Sequence, residues 1–248
     1  MQALPGISEI ASCALFLDLD GTIVELVDHP DAVRVAPETL RLLQVLRGCT
    51  GQALAVISGR EIAVIDRLLY PLILPAAGVH GLQRRDACGT IYSKEASNLA
   101  TLAGVLEHLL GDVPGTVIER KPGGIAVHYR LRPDLERHCR DAVHFVMGGH
   151  PGLRLIRGKM VFELTQKGAD KGDVISAFLC EPPFRGRTPV FAGDDVTDEA
   201  GFAAVNALGG ISIKVGDSQT EARFRAESPA DLRDWLCDLA GEACRELV

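Results

Sequence analysis

Aromatic residues are scarce in this sequence: they make up 5 %, with a single tryptophan, Trp235. A surface that stacks bases on aromatic rings is therefore not expected. Net positive charge is lacking as well. The chain has 26 Lys and Arg against 33 Asp and Glu, a formal charge of −7. That offers no long-range attraction to nucleic acid or to anionic lipid. It leaves room for an anionic small molecule, provided a local cluster of donors and cations receives it. No apolar run approaches the length of a membrane span, and no basic flank precedes the first apolar stretch, so neither a span nor a secretory leader is expected. Cysteines number seven (Cys13, Cys49, Cys88, Cys139, Cys180, Cys237 and Cys244), and no two stand at C-x-x-C spacing. A zinc site or disulfide framework is not expected; free thiols in a reducing cytoplasm are.

What is present is an ordinary core. Hydrophobic residues make up 47 % of the 248 residues and charged residues 24 %, enough for one large domain or two modest ones. Short apolar runs at 13–18, 53–58, 72–77, 188–193 and 211–215 alternate with helical patterns at 38–47, 61–70, 171–180, 198–208 and 229–244. That alternation predicts an α/β fold built on a parallel sheet. The middle differs. From 98 to 162 the pattern reads α-β-β-α-β-β, which suits a small antiparallel sheet with two helices on one face. The expected organisation is a core of residues 1–97 and 163–248, with an α+β domain of residues 98–162 inserted into it.

Chemistry gathers where the apolar runs end. The first run closes as "FLDLDGT", with Asp18 and Asp20 one residue apart. Residues i and i+2 of a strand point the same way, and open α/β sheets bind ligands beyond the carboxyl ends of their strands. Two carboxylates placed there repel one another, and a divalent cation would relieve the repulsion. A solvated turn or a helix cap would use the same residues. An EF-hand loop does not fit, because the glycine comes too early and no Glu closes the loop. The second run ends "VISGR", where Ser58 offers a hydroxyl and Gly59 a close backbone approach, although Ser-Gly is also an ordinary turn. The fourth ends "FAGDDVTDE", with Asp194, Asp195 and Asp198 in five positions. Acids also complement a helix N-terminus, but three of them after a buried strand suggest metal ligation. Lys171 opens a helical pattern that Asp170 can cap, and a cation there opposes the helix dipole.

"DLDGT", "SGR", Lys171 and "GDDVTDE" resemble, in order, the four motifs of the haloacid-dehalogenase-like phosphatases. "HPDAVRVAP", "AAGVHG", "VHYR" and "VNALGG" extend the likeness to the trehalose-6-phosphate phosphatases, over residues 14 to 236. The resemblance implies a Rossmann-like parallel-sheet core of the haloacid-dehalogenase type with an inserted cap. It implies a hydrolase of phosphoric monoesters that removes phosphate from trehalose 6-phosphate, the last step of trehalose biosynthesis. Asp18 would be the nucleophile that forms an aspartyl-phosphate and Asp20 the general acid and base, with the proton on Asp20 and the charge on Asp18. Mg²⁺ would be held by Asp18, the carbonyl of Asp20 and Asp194, with Asp195 or Asp198 acting directly or through water. Lys171, Ser58, Gly59 and Thr22 would bind or frame the phosphate. Arg60, His80, Glu119, Lys121 and Glu163 would receive the sugar, with the cap acting as a lid. The implied partner is a small-molecule substrate, with no nucleic acid or membrane, and the implied state is a monomer. Two other readings share these residues: a phosphatase for sucrose, glucosylglycerol or mannosylglycerate phosphate, and a non-catalytic regulatory module.

Overall fold

The computed structural model describes residues 3–27, 33–93, 99–121, 123–158, 160–166 and 170–241; the side chains of Lys121 and Gln166 lie outside the described parts, as do residues 29–32 of the quoted "HPDAVRVAP". In chain order the elements are β1 (Cys13–Leu17), α1 (Pro37–Cys49), β2 (Leu54–Ile57), α2 (Ile62–Leu69), β3 (Ala76–Gly78), β4 (Gln83–Arg85), β5 (Ile91–Ser93), α3 (Leu99–Leu110), β6 (Val117–Lys121), β7 (Gly124–His128), α4 (Glu136–Met147), β8 (Leu153–Gly158), β9 (Val161–Gln166), α5 (Lys171–Leu179), β10 (Thr188–Gly193), α6 (Glu199–Ala207), β11 (Ile211–Val215), β12 (Phe224–Ala226) and α7 (Pro229–Ala240). They form two compact units: Met1–Ser93 with Asp170–Val248, and Lys94–Ala169.

The larger unit is built on an eight-stranded sheet in the order β12-β11-β10-β1-β2-β3-β4-β5. The first six in that order pair in parallel; β4 and β5 add an antiparallel edge. β1 is apolar and buried throughout because both faces of the sheet are covered. Its odd residues, Cys13, Leu15 and Leu17, join Leu42, Leu46, Ile65 and Leu232 from α1, α2 and α7 on one side. Ala14 and Phe16 join Phe178 and Phe202 from α5 and α6 on the other. The chain runs outward from β1 through β2 and β3, then returns beside β1 as β10 and runs the other way. The strand order therefore reverses between β1 and β10, which is where open α/β sheets bind ligands.

Three details differ from what the sequence pattern predicts. The third core strand spans only Ala76–Gly78, because Pro75 has no N–H to give a ladder. Strands β4, β5 and β12 are only three residues long, too short to show a hydrophobic period, so no pattern marks them. β9 runs on to Gln166, paired with β8 throughout, so Glu163 is a mid-strand residue of the smaller unit rather than the first residue of the returning core.

The smaller unit has the expected helix-strand order and a four-stranded antiparallel sheet, β6-β7-β9-β8. Ile125, Val127, Phe162 and Leu164 face Leu102, Leu106, Cys139 and Val143 of α3 and α4. The alternate residues line the other face. No helix among the described residues is long and apolar enough to cross a membrane. The six described cysteines are free thiols.

Candidate active site at the β1–β10 strand ends

Asp18 and Asp194 leave adjacent strands. The register pairs Leu17 with Ala192, and the Asp18 N–H donates to the Ala192 carbonyl at 3.0 Å. Gly21 then turns the chain back with φ +76°, a left-handed conformation that favours glycine. There is a second reason for glycine: a Cβ at this position would stand 2.2 Å from Asp194 Oδ2. The "DGT" turn and the "GDD" loop are thus fitted against each other. Gly193 plays the same part from the other side, since a Cβ there would lie 2.3 Å from Asp198 Cγ.

Among the described residues, Asp18, Asp194 and Asp198 form a group whose ligand oxygens lie within 4.8 Å of one another. Lys171, only 2 % exposed, sits among them. Its Nζ donates to Asp18 Oδ1 at 2.7 Å and to Asp198 Oδ1 at 2.5 Å. The helix geometry explains the reach. Asp170 caps α5 by accepting from the Asp173 N–H at 2.9 Å, and Gly172 packs so close to Ala200 of α6 that a Cβ would meet its carbonyl at 2.6 Å. This close crossing carries Lys171 to the start of α6. The cation that opposes its own helix dipole is fixed by two carboxylates instead.

The electrostatics follow from burial. Burial pushes the Asp18 carboxyl up to about 7; Lys171 opposes the shift, while Asp198 and Asp194 reinforce it. Burial would lower the Lys171 ammonium, but Asp18 and Asp198 outweigh it and raise the group. The Asp194 carboxyl is also raised, by burial first and then by Asp198 and Asp195, with Lys214 and Lys171 pulling it back. Three crowded carboxylates share one touching ammonium, so the pocket holds excess negative charge on oxygen donors only. Such a set could hold a hard metal ion.

A match to the family model for trehalose-phosphatase spans residues 16–230. The chain belongs to the trehalose-phosphatase family. Relatives include the trehalose-6-phosphate phosphatase of Escherichia coli (strain K12), 41 % identical over 91 % of this chain and 86 % of its own length. A probable trehalose-phosphate phosphatase of Sinorhizobium fredii is 40 % identical over 94 % and 89 %. Among solved structures, a trehalose-6-phosphate phosphatase related protein superposes with a TM-score of 0.72 at 27 % identity, covering 94 % of this chain and 99 % of that one.

In this member of the trehalose-phosphatase family the other candidate residues fall into place unevenly. Thr22, fully buried, donates from Oγ1 to Asp18 Oδ2 at 3.0 Å and lies 3.3 Å from Asp194 Oδ1, so it bridges the two acids. Asp20 carries its carboxylate outside the three-acid group. Arg60 grips it in a bidentate pair, Nε to Oδ2 at 2.6 Å and Nη2 to Oδ1 at 2.8 Å. Arg60 is itself placed by the "SGR" turn, whose carbonyls at Ser58 and Arg60 accept from the N–H groups of His80 and Val79 at 3.2 and 2.9 Å. Those two residues have φ of 52° and 53°. A β-branched valine in that region is strained, as active-site turns often are. The His80 ring covers Gly59, where a Cβ would meet it at 2.7 Å. Ser58 is buried, and its Oγ accepts from the Arg60 N–H at 3.2 Å.

Asp198 is fully buried, and its Oδ2 accepts from the N–H groups of Asp194 and Asp195 at 3.0 and 2.9 Å. It shapes the loop as well as standing in the acidic group. Asp195 is exposed and makes a capping box with Asp198; it lies outside that group. In the smaller unit, cross-strand pairing aligns Glu119 with Ala126 and Ala126 with Glu163, on the face away from the helices. His128 Nε2 lies 2.8 Å from Glu119 Oε2. The backbone of Lys121 pairs with Gly124; its side chain, like Pro122, lies outside the described residues. One charged residue escapes the reading of strand ends: Lys214, 2 % exposed inside the apolar run "ISIKV". A cation in a core strand is the available signal.

Proposed function

We propose that the chain is a Mg²⁺-dependent phosphatase that hydrolyses trehalose 6-phosphate to trehalose and inorganic phosphate. The observation that carries this reading is the group of buried Asp18, Lys171 and Asp198 with half-buried Asp194 at the sheet's switch point, in a chain of the trehalose-phosphatase family.

An oxygen of Asp18 attacks phosphorus, and the bond between phosphorus and the sugar oxygen breaks. The leaving oxygen takes a proton from Asp20, giving trehalose and an aspartyl-phosphate. Water then attacks that phosphorus, Asp20 receives its proton, and phosphate leaves with the Asp18 carboxylate restored. Asp20 cannot hand over a proton while both its oxygens accept from Arg60, so one of those two bonds opens during the cycle. Lys171, the Ser58 hydroxyl and the Gly59 backbone stabilise charge on the phosphoryl oxygens, while Thr22 holds the Asp18 carboxylate in line. Asp18, the Asp20 carbonyl and Asp194 would hold Mg²⁺, with Asp195 or Asp198 acting directly or through water. When bound, the ion supplies positive charge to the phosphoryl group and keeps Asp18 ionised. Arg60, His80, Glu119, Lys121 and Glu163 are assigned to the sugar, where carboxylates accept strong hydrogen bonds from hydroxyl groups. The free thiols support a cytoplasmic setting, and the active species is taken to be the monomer.

The test is phosphate release from trehalose 6-phosphate, sucrose 6-phosphate, glucose 6-phosphate and glucosylglycerol phosphate, with and without Mg²⁺. Metal-dependent preference for the first is expected. Preference for another member retains the Asp18 chemistry and removes the sugar assignments; no turnover of any member defeats the reading.

A further inference from the structure

Lys214 is a cation that the chemistry above does not use. It lies on β11, beside Gly193 of β10 in the parallel register, with 2 % of its surface exposed. Its Nζ donates to two main-chain carbonyls, that of Asp194 and that of Val215, the latter at 2.8 Å. A buried ammonium is costly to desolvate, and an aliphatic side chain in its place is often neutral or better for stability. The ammonium is therefore expensive as packing and calls for another explanation.

The Asp194 peptide supplies one. Its N–H is held by Asp198 Oδ2 at 3.0 Å, and its C=O is held by Lys214 Nζ. Its side chain rests against the α-carbon of Gly21 and within 3.3 Å of the Thr22 hydroxyl. The residue is pinned at both ends of its backbone, and Lys214 is the pin on the carbonyl side. No described hydrogen bond of Lys214 goes to a carboxylate, so its contact fixes the loop and leaves the acidic oxygens available to a ligand.

We infer that Lys214 is a positioning residue for the divalent cation: by fixing the Asp194 peptide it sets the affinity of the acidic group for Mg²⁺. This rests on the metal reading proposed above. Partners that orient a metal ligand typically change affinity by about 10- to 100-fold when removed. A contrary effect acts through charge, because removing a nearby cation would by itself strengthen Mg²⁺ binding. The two causes predict opposite signs, so the sign decides between them.

The experiment is calorimetric titration of Mg²⁺ into the wild-type chain, K214M and K214R, with circular dichroism to confirm folding. K214M is expected to bind Mg²⁺ about tenfold more weakly, with the Mg²⁺ concentration for half-maximal phosphate release rising by the same factor. K214R, which keeps a donor and the charge, is expected to fall between the two. Unchanged or tighter binding in folded K214M overturns the inference. Should K214M fail to fold, K214R decides, and wild-type affinity in that variant overturns it. A wild-type chain that binds no Mg²⁺ overturns the metal reading and this inference together, whereas a wild type that binds and variants that match it overturn this inference alone.

Discussion

The charged groups of the two units are managed in opposite ways. At the β1–β10 strand ends every acid has a fixed partner: Asp18 with Lys171 and Thr22, Asp198 with Lys171 and two backbone N–H groups, Asp20 with Arg60. On the helix-free face of the smaller sheet, Glu119 is exposed and meets His128, and Glu163 is half-buried two strands away, aligned with it across Ala126. Buried charges in a low dielectric are costly to leave unpaired, so folding itself forces the first region into one arrangement. Solvated charges interact weakly, so the second region can change its residues at little cost to stability. The difference separates a region held in one arrangement from one whose residues can change; on the function proposed above, the first carries the chemistry and the second the specificity.

The largest expected effect breaks the first region at its centre. Asp18→Asn keeps the shape and removes the proposed nucleophile; phosphate release should fall by at least about 10⁴-fold. Lys171→Met comes next. It leaves Asp18 and Asp198 buried without their shared cation, for a loss of roughly 3 kcal/mol of stability and about 10²- to 10³-fold of turnover. Thermal unfolding with and without Mg²⁺ sharpens the point, because a bound divalent ion supplies the missing positive charge. The melting temperature of Lys171→Met should therefore rise more on adding Mg²⁺ than that of the wild type. An equal rise in both would separate Lys171 from the charge balance of the site.

The contrast between the regions also governs how much of the molecule is legible in its amino-acid sequence. β1, β10 and β11 are legible because a strand buried on both faces must be a near-continuous apolar run. Asp18, Asp20 and Asp194 are legible because acids ending such runs are rare. Lys171 stands out by opposing its helix dipole, and Asp170 as its cap follows from local chemistry. Partnerships across the fold are not legible. Nothing in "SGR" announces that Arg60 will grip Asp20, 40 positions earlier. Lys214 hides as one of two polar letters, with Ser212, in a short core run. Arg85, buried against Asp66 and the Leu74 carbonyl, lies in β4, a strand with no period to betray it. The alternation in the smaller unit does show that Glu119 and Lys121 sit at like positions of one strand; the alignment of Glu119 with Glu163 depends on pairing through β7.

Arg60 tests how far the first region's order extends. Its bidentate hold on Asp20 fixes the direction in which that carboxyl points, and small misplacements of a reacting group cost up to about 10²-fold. Arg60→Ala should lower kcat by roughly 10- to 100-fold, with Arg60→Lys no better than partial, because an ammonium cannot make the two parallel bonds. A change confined to KM would instead assign Arg60 to sugar contact alone and detach it from proton transfer.

The smallest effect belongs to the open face and completes the comparison. Glu119→Gln and Glu163→Gln each retain shape and lose the charge that strengthens a hydrogen bond to a hydroxyl, a difference of about tenfold. That loss should appear in kcat/KM for trehalose 6-phosphate and be several times smaller for a simple aryl phosphate, which has no sugar hydroxyls to hold. Melting temperatures should move little for Glu119→Gln, since that side chain is exposed and surface substitutions generally stay within about 0.5 kcal/mol. Equal losses on both substrates would mean that the smaller unit acts on the chemical step itself. The separation of built-in chemistry from adjustable specificity would then fail at the residues chosen to define it.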